Sequence, residues 1–246
     1  MIATQTRGRP ASGNGRKQWA GMVCASCFFG CALGDEAHRV IQRYRQVRSW
    51  QKGAFVFHAG EEPHGIWSVC KGRIKVFKET EDGKQLTLRI ALPGELVGHR
   101  SLLAGAPLAG YGEVLEDAVT AYLAADVVMR LIDIDANVRK RMIHKLADEL
   151  GHAETLATSM AYGRAEQRLI AAFAELCRNS GDCEPGCSNE PIELLAPRQE
   201  LAELSGLTVE ATVRTLRRLE EAGIVQAHGR RICVNHPELL AEASEA

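Results

Sequence analysis

The most regular pattern of apolar and polar positions lies in residues 196–219, where it predicts two short helices. Leu201 and Leu204 take up helical spacing in the first helix, and Gly206 would end it with a left-handed backbone. Thr208 would then cap the second helix, because its hydroxyl can accept a hydrogen bond from the first turn. The apolar positions that we assign to the core side of this second helix are Val209, Val213, Leu216 and Leu219.

Charged residues occupy the other side of the second helix, and a β-hairpin is predicted to follow it. Two short β-prone runs flank Gly229, which indicates a wing. Two helices joined by a short turn that contains glycine are typical of a helix-turn-helix, whose second helix enters the major groove of DNA. The outward charged residues are Glu210, Arg214, Arg217 and Arg218. An ordinary helical hairpin is the alternative, but the wing and the arginines favour DNA binding.

Short β-prone runs separated by glycines fill residues 48–123 and predict a small β-barrel. Residues 54–58 and 86–90 are two such runs. The dipeptide Asp82-Gly83 between two of the runs is a strong hairpin signal. Strands at this regular spacing indicate a sandwich or barrel of the jelly-roll type.

Residues 135–161 contain almost no glycine and predict one long amphipathic helix. The apolar positions that recur every three or four residues are Val138, Met142, Leu146, Leu150, Ala153, Leu156 and Met160. A helix of this length exceeds what a domain core needs, and such helices often pair with a copy of themselves. We therefore expect a homodimer, with a plain core helix as the alternative. Residues 165–177 predict one further helix.

These patterns divide the 246 residues into four parts and give an α+β fold. We expect a disordered basic arm at 1–20, a cysteine-rich segment and β-barrel sensor domain at 21–130, a dimerisation helix at 131–162 and a winged helix-turn-helix domain at 163–246. No apolar run approaches the roughly 20 residues of a membrane span, and the basic start lacks the apolar stretch of a secretory signal. We expect a cytoplasmic protein without a membrane partner, and the net charge of −1 says little about other partners.

The cysteines form two groups that suggest chemistry. Eight cysteines are many for this length, and in a reducing cytosol clustered cysteines indicate metal or redox chemistry more often than structural disulfides. Cys24, Cys27 and Cys31 form a C-x2-C-x3-C motif that could bring three thiolates to one centre. A second triplet could bind metal, form a disulfide on oxidation or complete the first site. Its members are Cys177, Cys183 and Cys187.

A cysteine-rich start, a small barrel, a long helix and a winged helix-turn-helix follow one another in this chain. In this order they resemble the FNR/CRP family of bacterial transcription regulators. The segments that carry the resemblance are Val69–Val76, Pro93–Gly98, Ala165–Phe173 and Leu204–Arg214. The resemblance implies a homodimer that binds a palindromic operator in double-stranded DNA, with RNA polymerase as a further partner.

The resemblance also assigns roles on the second helix of the helix-turn-helix. Glu210 and Arg214 match the family's acidic and arginine readers. Arginine can donate two hydrogen bonds to guanine, and glutamate can accept one from cytosine. Val213 stands where FNR proteins have serine and would favour a thymine methyl, so we expect a half-site that departs from TTGAT. The residues assigned to the interface through phosphate contacts or capping are Arg217, Arg218 and Thr208.

FNR-like sensors hold an iron–sulfur cluster with three N-terminal cysteines and a fourth from the barrel, and the resemblance implies a 4Fe–4S cluster here. This chain spaces its third cysteine more tightly than FNR proteins do. It has no cysteine at the family's fourth position near Ala121-Tyr122, and we assign Cys70 instead. The predicted ligands are therefore Cys24, Cys27, Cys31 and Cys70. The alternatives are a buried apolar thiol for Cys70 and zinc for the triplet.

Other sensors and an enzyme are the alternatives for the whole chain. Cyclic-nucleotide binding in the family uses an Arg-Ser pair, and the matching stretch 108–112 offers neither residue. Haem would need an axial histidine, for which His58, His64 and His99 are the candidates, and thiol–disulfide sensing would need only the cysteines. A cupin-like metalloenzyme would use the region of His58 and His64, but the His-x-His core of a cupin site is absent. We expect a regulator that senses oxygen, nitric oxide or redox state, not an enzyme.

Overall fold

The computed structural model forms two compact units. It describes residues 28–29, 33–83, 85–180, 191–236 and 238–240, without the side chains of 178–180. One unit comprises the residues up to Glu79 together with Ile90–Ala147, and the other comprises Thr80–Arg89 with the residues from Asp148 onward. The basic arm predicted for residues 1–20 lies outside the described residues.

Two four-stranded sheets form the barrel. The order of the first is β1 (Gln46–Trp50), β8 (Ala118–Ala124), β3 (Gly65–Lys71) and β6 (Leu96–Val97). The order of the second is β2 (Phe55–Phe57), β7 (Tyr111–Val114), β4 (Ile74–Glu79) and β5 (Gln85–Ala91). The strand pairs with a defined register are antiparallel, and this arrangement confirms the predicted jelly-roll type of barrel.

Local sequence predicts most of these strands but not all. Gly83 has φ +75°, and its N–H donates to the carbonyl of Thr80 at 2.9 Å, as the predicted hairpin requires. Strand β1 was not predicted, because polar and apolar residues do not alternate along it and only Trp50 is buried. Strand β7 contains a glycine and a glutamate, which have low strand propensity. Hydrogen-bonded pairing of β1 with β8 and of β7 with β4 stabilises these two strands, whose local strand propensity is low.

Strand β3 is buried on both faces because it lies between two hydrophobic cores. Trp67 and Val69 join the core between the two sheets, whereas Ile66 joins a second core that contains helices. Trp50 also lies between the sheets, and its indole N–H donates to the hydroxyl of Thr120 at 2.9 Å. Apolar and aromatic side chains therefore fill the inside of the barrel.

Among the residues that the structure describes, four helices accompany the barrel: α1 (Asp35–Tyr44), α2 (His99–Ala104), α3 (Ala125–Ile134) and α4 (Ala136–Tyr162). Helix α4 is the single long helix that the sequence predicts. The first turns of α4 differ from the expectation, because Val138 and Met142 are buried in the second core and cannot serve self-association. Phe28, Phe29 and residues of α1 and α3 surround this end of α4 in the same core.

The second unit contains a winged helix-turn-helix. Its elements are α5 (Ala165–Ser180), β9 (Ile192–Leu195), α6 (Arg198–Ser205), α7 (Val209–Glu221), β10 (Val225–His228) and β11 (Arg231–Val234). The wing is a three-stranded sheet in the order β10-β11-β9. The sequence predicts its two C-terminal strands, but β9 is too short and too irregular in burial to be recognised locally.

Within residues 28–29, 33–83, 85–180, 191–236 and 238–240, no helix is both long enough and apolar enough to span a bilayer.

Candidate functional site

The turn between α6 and α7 has the geometry that its sequence predicts. Helix α6 ends at Ser205, and Gly206 follows it with φ +60°, a conformation that glycine adopts readily. The N–H of Leu207 donates to the carbonyl of Ala202 at 3.0 Å, which closes the end of α6. The side chain of Thr208 accepts a hydrogen bond from the N–H of Ala211 at 3.1 Å, so Thr208 is the cap of α7.

The core face of α7 is rotated from the predicted one. Val209, predicted to be buried, is 39% exposed, and Val213 is only half-buried. The buried residues of α7 are Thr212, Thr215, Leu216 and Leu219.

Two threonines can occupy core positions because their hydroxyls are satisfied locally. The hydroxyl of Thr212 donates to the carbonyl of Thr208 at 3.0 Å. The hydroxyl of Thr215 accepts from the guanidinium of Arg218 at 3.3 Å. A buried hydroxyl costs little once it has a partner, so these threonines can replace Val209 and Val213 on the core face of the helix.

The exposed face of α7 carries the predicted DNA-reading residues. Glu210, Arg214 and Arg217 are exposed, and within the described part of the chain none of them has an ion pair or a side-chain hydrogen bond. Arg218 differs, because it is 51% exposed and its Nη1 lies 3.1 Å from Glu166 Oε1 on α5. An arginine and an acid with these geometries can read base edges in a major groove, whereas Arg218 also holds α7 to its neighbour.

The wing is attached directly to α7. The carboxylate of Glu220 accepts a hydrogen bond from the N–H of Ala227 at 2.8 Å. The side-chain amide of Asn235 donates to the carbonyl of Gly223 at 2.8 Å. Arg231 near the wing tip is exposed and pairs with Glu193 of β9 at 3.1 Å. The third strand and these two hydrogen bonds fix the wing relative to the recognition helix.

The cysteines are only partly within the described residues. Cys24, Cys27 and Cys31 lie outside them, as do Cys183 and Cys187. Cys70 is a half-buried thiol at an irregularity of β3, where the register with β8 shifts between Val69 and Lys71. A strand bulge can re-aim a side chain and often lies beside a functional site. Cys177 of α5 is buried and disulfide-bonded.

Two described residues lie between the second and third cysteines of the first triplet. Phe28 and Phe29, which follow Cys27 directly, are buried in the same core as Val138 and Met142 of α4. The guanidinium of Arg141 on α4 lies 4.8 Å from the ring centroid of Phe28. Phe28 and Phe29 therefore pack on the first two turns of the long helix.

Asp135 is a further residue at this place, and sequence reasoning did not identify it. Its Oδ2 accepts the N–H of Gly34, three residues after Cys31, at 2.8 Å. Its Oδ1 accepts the N–H groups of Asn137 at 2.8 Å and Val138 at 3.2 Å, which caps the start of α4. The hydrogen bond from Gly34 is the main cause that lowers the pKa of Asp135 below its ordinary value, and burial opposes it.

The alternative metal sites find little support among these side chains. His58 stacks on Phe55 and lies 3.3 Å from Glu61, as a histidine satisfied by its neighbours does. Across the ranges that the structure describes, no three His, Cys, Asp or Glu side chains are grouped as a metal site requires. The cupin-like arrangement is therefore not formed by the described histidines and glutamates.

The chain combines a β-barrel of two antiparallel sheets, a long helix and a winged helix-turn-helix. The exposed face of α7 carries acidic and basic side chains. These features together define the class of DNA-binding regulatory proteins. Two family models match the chain, the cyclic nucleotide-binding domain over residues 47–135 and the Crp-like helix-turn-helix domain over residues 167–243. The chain belongs to the CRP/FNR family and is a DNA-binding transcriptional regulator of that type.

Individual relatives agree with this assignment. The chain is 26% identical over 208 residues to the fumarate nitrate reduction regulatory protein of Klebsiella oxytoca, covering 85% of this chain and 81% of that protein. It is 25% identical over 210 residues to the anaerobic regulatory protein of Pasteurella multocida, covering 85% and 75%. FixK2 from Bradyrhizobium japonicum has a similar fold, with a TM-score of 0.68, 22% identity and coverage of 81% and 96%. The relatives are regulators, which confirms that the chain is not an enzyme.

Proposed function

We propose that this regulator senses oxygen, nitric oxide or redox state through a 4Fe–4S cluster and binds a palindromic operator as a homodimer. The predicted ligands are Cys24, Cys27, Cys31 and Cys70. One observation carries the proposal: the segment that holds the N-terminal cysteines contacts the start of α4 through Phe28, Phe29 and Gly34. A change at the cysteines would therefore act on the helix proposed for self-association.

The donor chemistry fits an iron–sulfur cluster, because four thiolates are its usual ligand set. When bound, such a cluster would supply an oxidation-sensitive link between the N-terminal segment and the barrel. The assignment of Cys70 as the fourth ligand needs a test of its own. Ile66 shares the core of Phe28 and Phe29, whereas Cys70 lies four residues further along β3, about 13 Å at the usual rise per residue.

The exposed apolar side chains of α4 support the proposed homodimer. Ile143 is 66% exposed and Leu150 is 60% exposed, and a contiguous exposed apolar surface marks an interaction site. Together with Leu146 they follow the alternating spacing of three and four residues that a two-stranded coiled coil requires. The proposed contact therefore begins about one turn later than the sequence pattern indicates, because Val138 and Met142 are already buried.

Substitution on α4 tests the homodimer. Ile143→Glu and Leu150→Glu should each shift the chain toward the monomer in analytical ultracentrifugation, because a charge would replace an apolar contact. Met129→Glu is the matched control, since Met129 is also a large exposed apolar residue, at 46%, but lies on α3. A sedimentation profile that stays dimeric in both α4 variants would contradict this interface.

The proposed operator contacts come from α7. Two recognition helices related by a dimer axis read half-sites about 34 Å apart, which explains why the operator would be palindromic. Arg214→Ala should reduce specific binding by about 1–3 kcal/mol through the loss of a bidentate contact to guanine. DNase I footprinting on promoter DNA that the wild type protects measures this loss, and an unchanged footprint would contradict the assignment. RNA polymerase stays a prediction from the family resemblance.

The names of the relatives support an anaerobic or redox-linked signal. Several matching proteins are called fumarate and nitrate reduction regulatory proteins, including that of Escherichia coli, and another is called an anaerobic regulatory protein. The stretch 108–112 supports a signal other than a cyclic nucleotide, because it offers neither residue of the Arg-Ser pair that cyclic-nucleotide binding in the family uses.

Purification without air tests the cluster. We expect a brown protein with about four iron atoms and four sulfides per chain, given a 4Fe–4S cluster. Serine at any of the four predicted ligand positions should remove iron and sulfide. Cys233→Ser should leave both unchanged, since Cys233 is another half-buried thiol but lies in the wing. Zinc alone, haem alone or a metal-free wild type would contradict the proposal, and full iron content in Cys70→Ser would exclude Cys70 as the fourth ligand.

Thiol–disulfide sensing is a second candidate, and the disulfide of Cys177 favours it. Cys177 lies on α5, the helix that contacts both helices of the helix-turn-helix. Cys177→Ser should remove any change in operator affinity caused by a thiol oxidant in protein purified without metal. Equal responses of the wild type and Cys177→Ser would exclude this candidate.

A further inference from the structure

The side chain of Arg168 on α5 connects two helix ends in the second unit. Its Nε donates to the carbonyl of Ser205 at 2.9 Å, and its Nη2 donates to the carbonyl of Gly206 at 2.7 Å. The last carbonyls of a helix have no partner within that helix. A cation there also interacts favourably with the helix dipole. Arg168 therefore stabilises the end of α6 at the turn that leads into the recognition helix.

The head of Arg168 fits closely against the turn. A Cβ added at Gly206 would lie 2.7 Å from Nη2 of Arg168 and 2.8 Å from Cε of Met160. Nη2 also lies 3.9 Å from the sulfur of Met160. Because Met160 belongs to the last turn of α4, the turn of the helix-turn-helix contacts the end of the long helix and the guanidinium together.

The stem of Arg168 contacts the same end of α4. Gly163 follows α4, and its N–H donates to the carbonyl of Ser159 at 2.8 Å. A Cβ added at Gly163 would lie 3.2 Å from Cγ of Arg168. The aliphatic stem of Arg168 therefore packs on the end of α4, and its guanidinium binds the end of α6.

Helix α5 also has a polar contact with the recognition helix itself, the ion pair of Glu166 with Arg218. We propose that Arg168 is a positioning residue for operator recognition. It fixes the start of α7 relative to the end of α4, and so sets the direction in which Glu210 and Arg214 face DNA, without touching DNA itself. This inference depends on DNA binding by the winged helix-turn-helix and not on the identity of the sensor.

The alternative role for an arginine near a recognition helix is a direct phosphate contact. The two roles differ in what they change. Loss of a phosphate contact weakens binding to all sequences about equally and lowers the slope of log affinity against log salt by about one. Loss of a positioning residue misplaces the base-reading side chains, so it weakens specific binding and leaves non-specific binding and the salt slope unchanged.

The test uses the full-length chain and two duplexes of equal length. One duplex is selected by the wild type from a randomised library, and the other has the same bases in scrambled order. Arg168→Met keeps the apolar stem, and Arg168→Lys keeps the charge but loses the planar fork that binds two carbonyls. Arg164→Met is the matched control, because Arg164 is an exposed arginine four residues earlier.

We expect Arg168→Met to weaken binding to the selected duplex about tenfold or more, as the loss of hydrogen bonds made by a charged group implies. Binding to the scrambled duplex, the salt slope and the sedimentation coefficient should not change. Arg168→Lys should be intermediate, and Arg164→Met should retain the wild-type ratio of specific to non-specific affinity. Met160→Ala combined with Arg168→Met should be non-additive in specific affinity, because the two side chains are in contact.

Three results would overturn the inference. Equal weakening on both duplexes with a reduced salt slope would identify a phosphate contact. Unchanged specific binding in Arg168→Met would show that the turn is positioned without this residue. If Arg168→Met does not fold, the measurements on Arg168→Lys test the proposal instead. Wild-type specificity in Arg168→Lys would then overturn the proposal.

Discussion

The two ends of α4 are held by charged side chains of opposite sign. At the N-terminal end, the carboxylate of Asp135 accepts backbone N–H groups from Gly34, Asn137 and Val138. Near the C-terminal end, the guanidinium of Arg168 donates to two backbone carbonyls at the end of α6. Each charge has the sign that the helix terminus beside it favours.

We call Asp135 the N-terminal anchor and Arg168 the C-terminal anchor of α4. The two side chains differ in burial, and we therefore expect them to control different properties. Asp135 is 7% exposed and lies beside an aromatic core, where an unsatisfied hydrogen bond is costly. Arg168 is only half-buried, and water can replace part of what it donates. We expect the N-terminal anchor to control the stability of the first unit and its coupling to the cysteine segment, and the C-terminal anchor to control the geometry of recognition.

Phe29→Ala should have the largest effect at the N-terminal end. Phe29 is buried in the core that contains Val138 and Met142, and such truncations cost about 3–5 kcal/mol of unfolding free energy. Urea denaturation of the metal-free chain, followed by tryptophan fluorescence, measures the loss. Tyr44→Ala is the control, because Tyr44 is an exposed aromatic residue of α1. Equal losses in the two variants would mean that the segment after Cys27 contributes no specific packing.

Asp135→Asn should have the next largest effect, and it separates the two roles of the carboxylate. Asparagine is as good a helix cap as aspartate, so the N–H groups of Asn137 and Val138 keep their acceptor. Its amide nitrogen cannot accept the N–H of Gly34, which would be left unsatisfied at about 1–3 kcal/mol. Hydrogen exchange should accelerate at Gly34 and stay slow at Val138.

Asp133→Asn is the matched control for this substitution, because Asp133 is an exposed aspartate two residues earlier. If exchange accelerates at Val138 as much as at Gly34, the carboxylate acts as a cap alone, and the proposed link between the cysteine segment and α4 fails.

Acidic pH should weaken the hydrogen bonds that the Asp135 carboxylate accepts, because protonation removes its charge. The N–H of Gly34 is the main cause that lowers the pKa of Asp135, with smaller contributions from the backbone of Val138 and Asn137 and from the charge of Arg139. A carboxyl with a lowered pKa stabilises the fold above its unfolded value of about 3.9 and loses this contribution as the pH falls through the folded value.

The stability difference between wild type and Asp135→Asn should therefore be constant near neutral pH and shrink below about pH 4. Urea denaturation across this range measures it. A difference that stays constant down to acid unfolding would mean that the carboxylate has no special stabilisation in the folded chain.

The comparison also shows which parts of the molecule local sequence can predict. Periodicity predicted α4 and the helix-turn-helix, because amphipathic spacing and glycine turns are local signals. It placed Val209 in the core and Val138 in an interface, because the burial of a given face depends on which elements pack there. Asp135 carries no local signal of its role, since the donor Gly34 lies 101 residues away in the chain. Glu210 and Arg214, the proposed reading residues, were predicted as exposed and are exposed.

Arg141→Met should have the smallest effect of the series and tests whether the aromatic contact of α4 with the cysteine segment is specific. The guanidinium lies 4.8 Å from the ring centroid of Phe28, and such a contact contributes about 0.5–1 kcal/mol.

A double-mutant cycle with Phe28→Leu isolates the contribution of this contact, because leucine keeps the apolar volume and removes the ring. Lys140→Met is the control for the lost charge, since Lys140 is exposed at the preceding position of the helix. We expect a coupling energy between Arg141 and Phe28 and none between Lys140 and Phe28. Additive losses in both pairs would show that the cysteine segment contacts α4 through apolar packing and Asp135 alone.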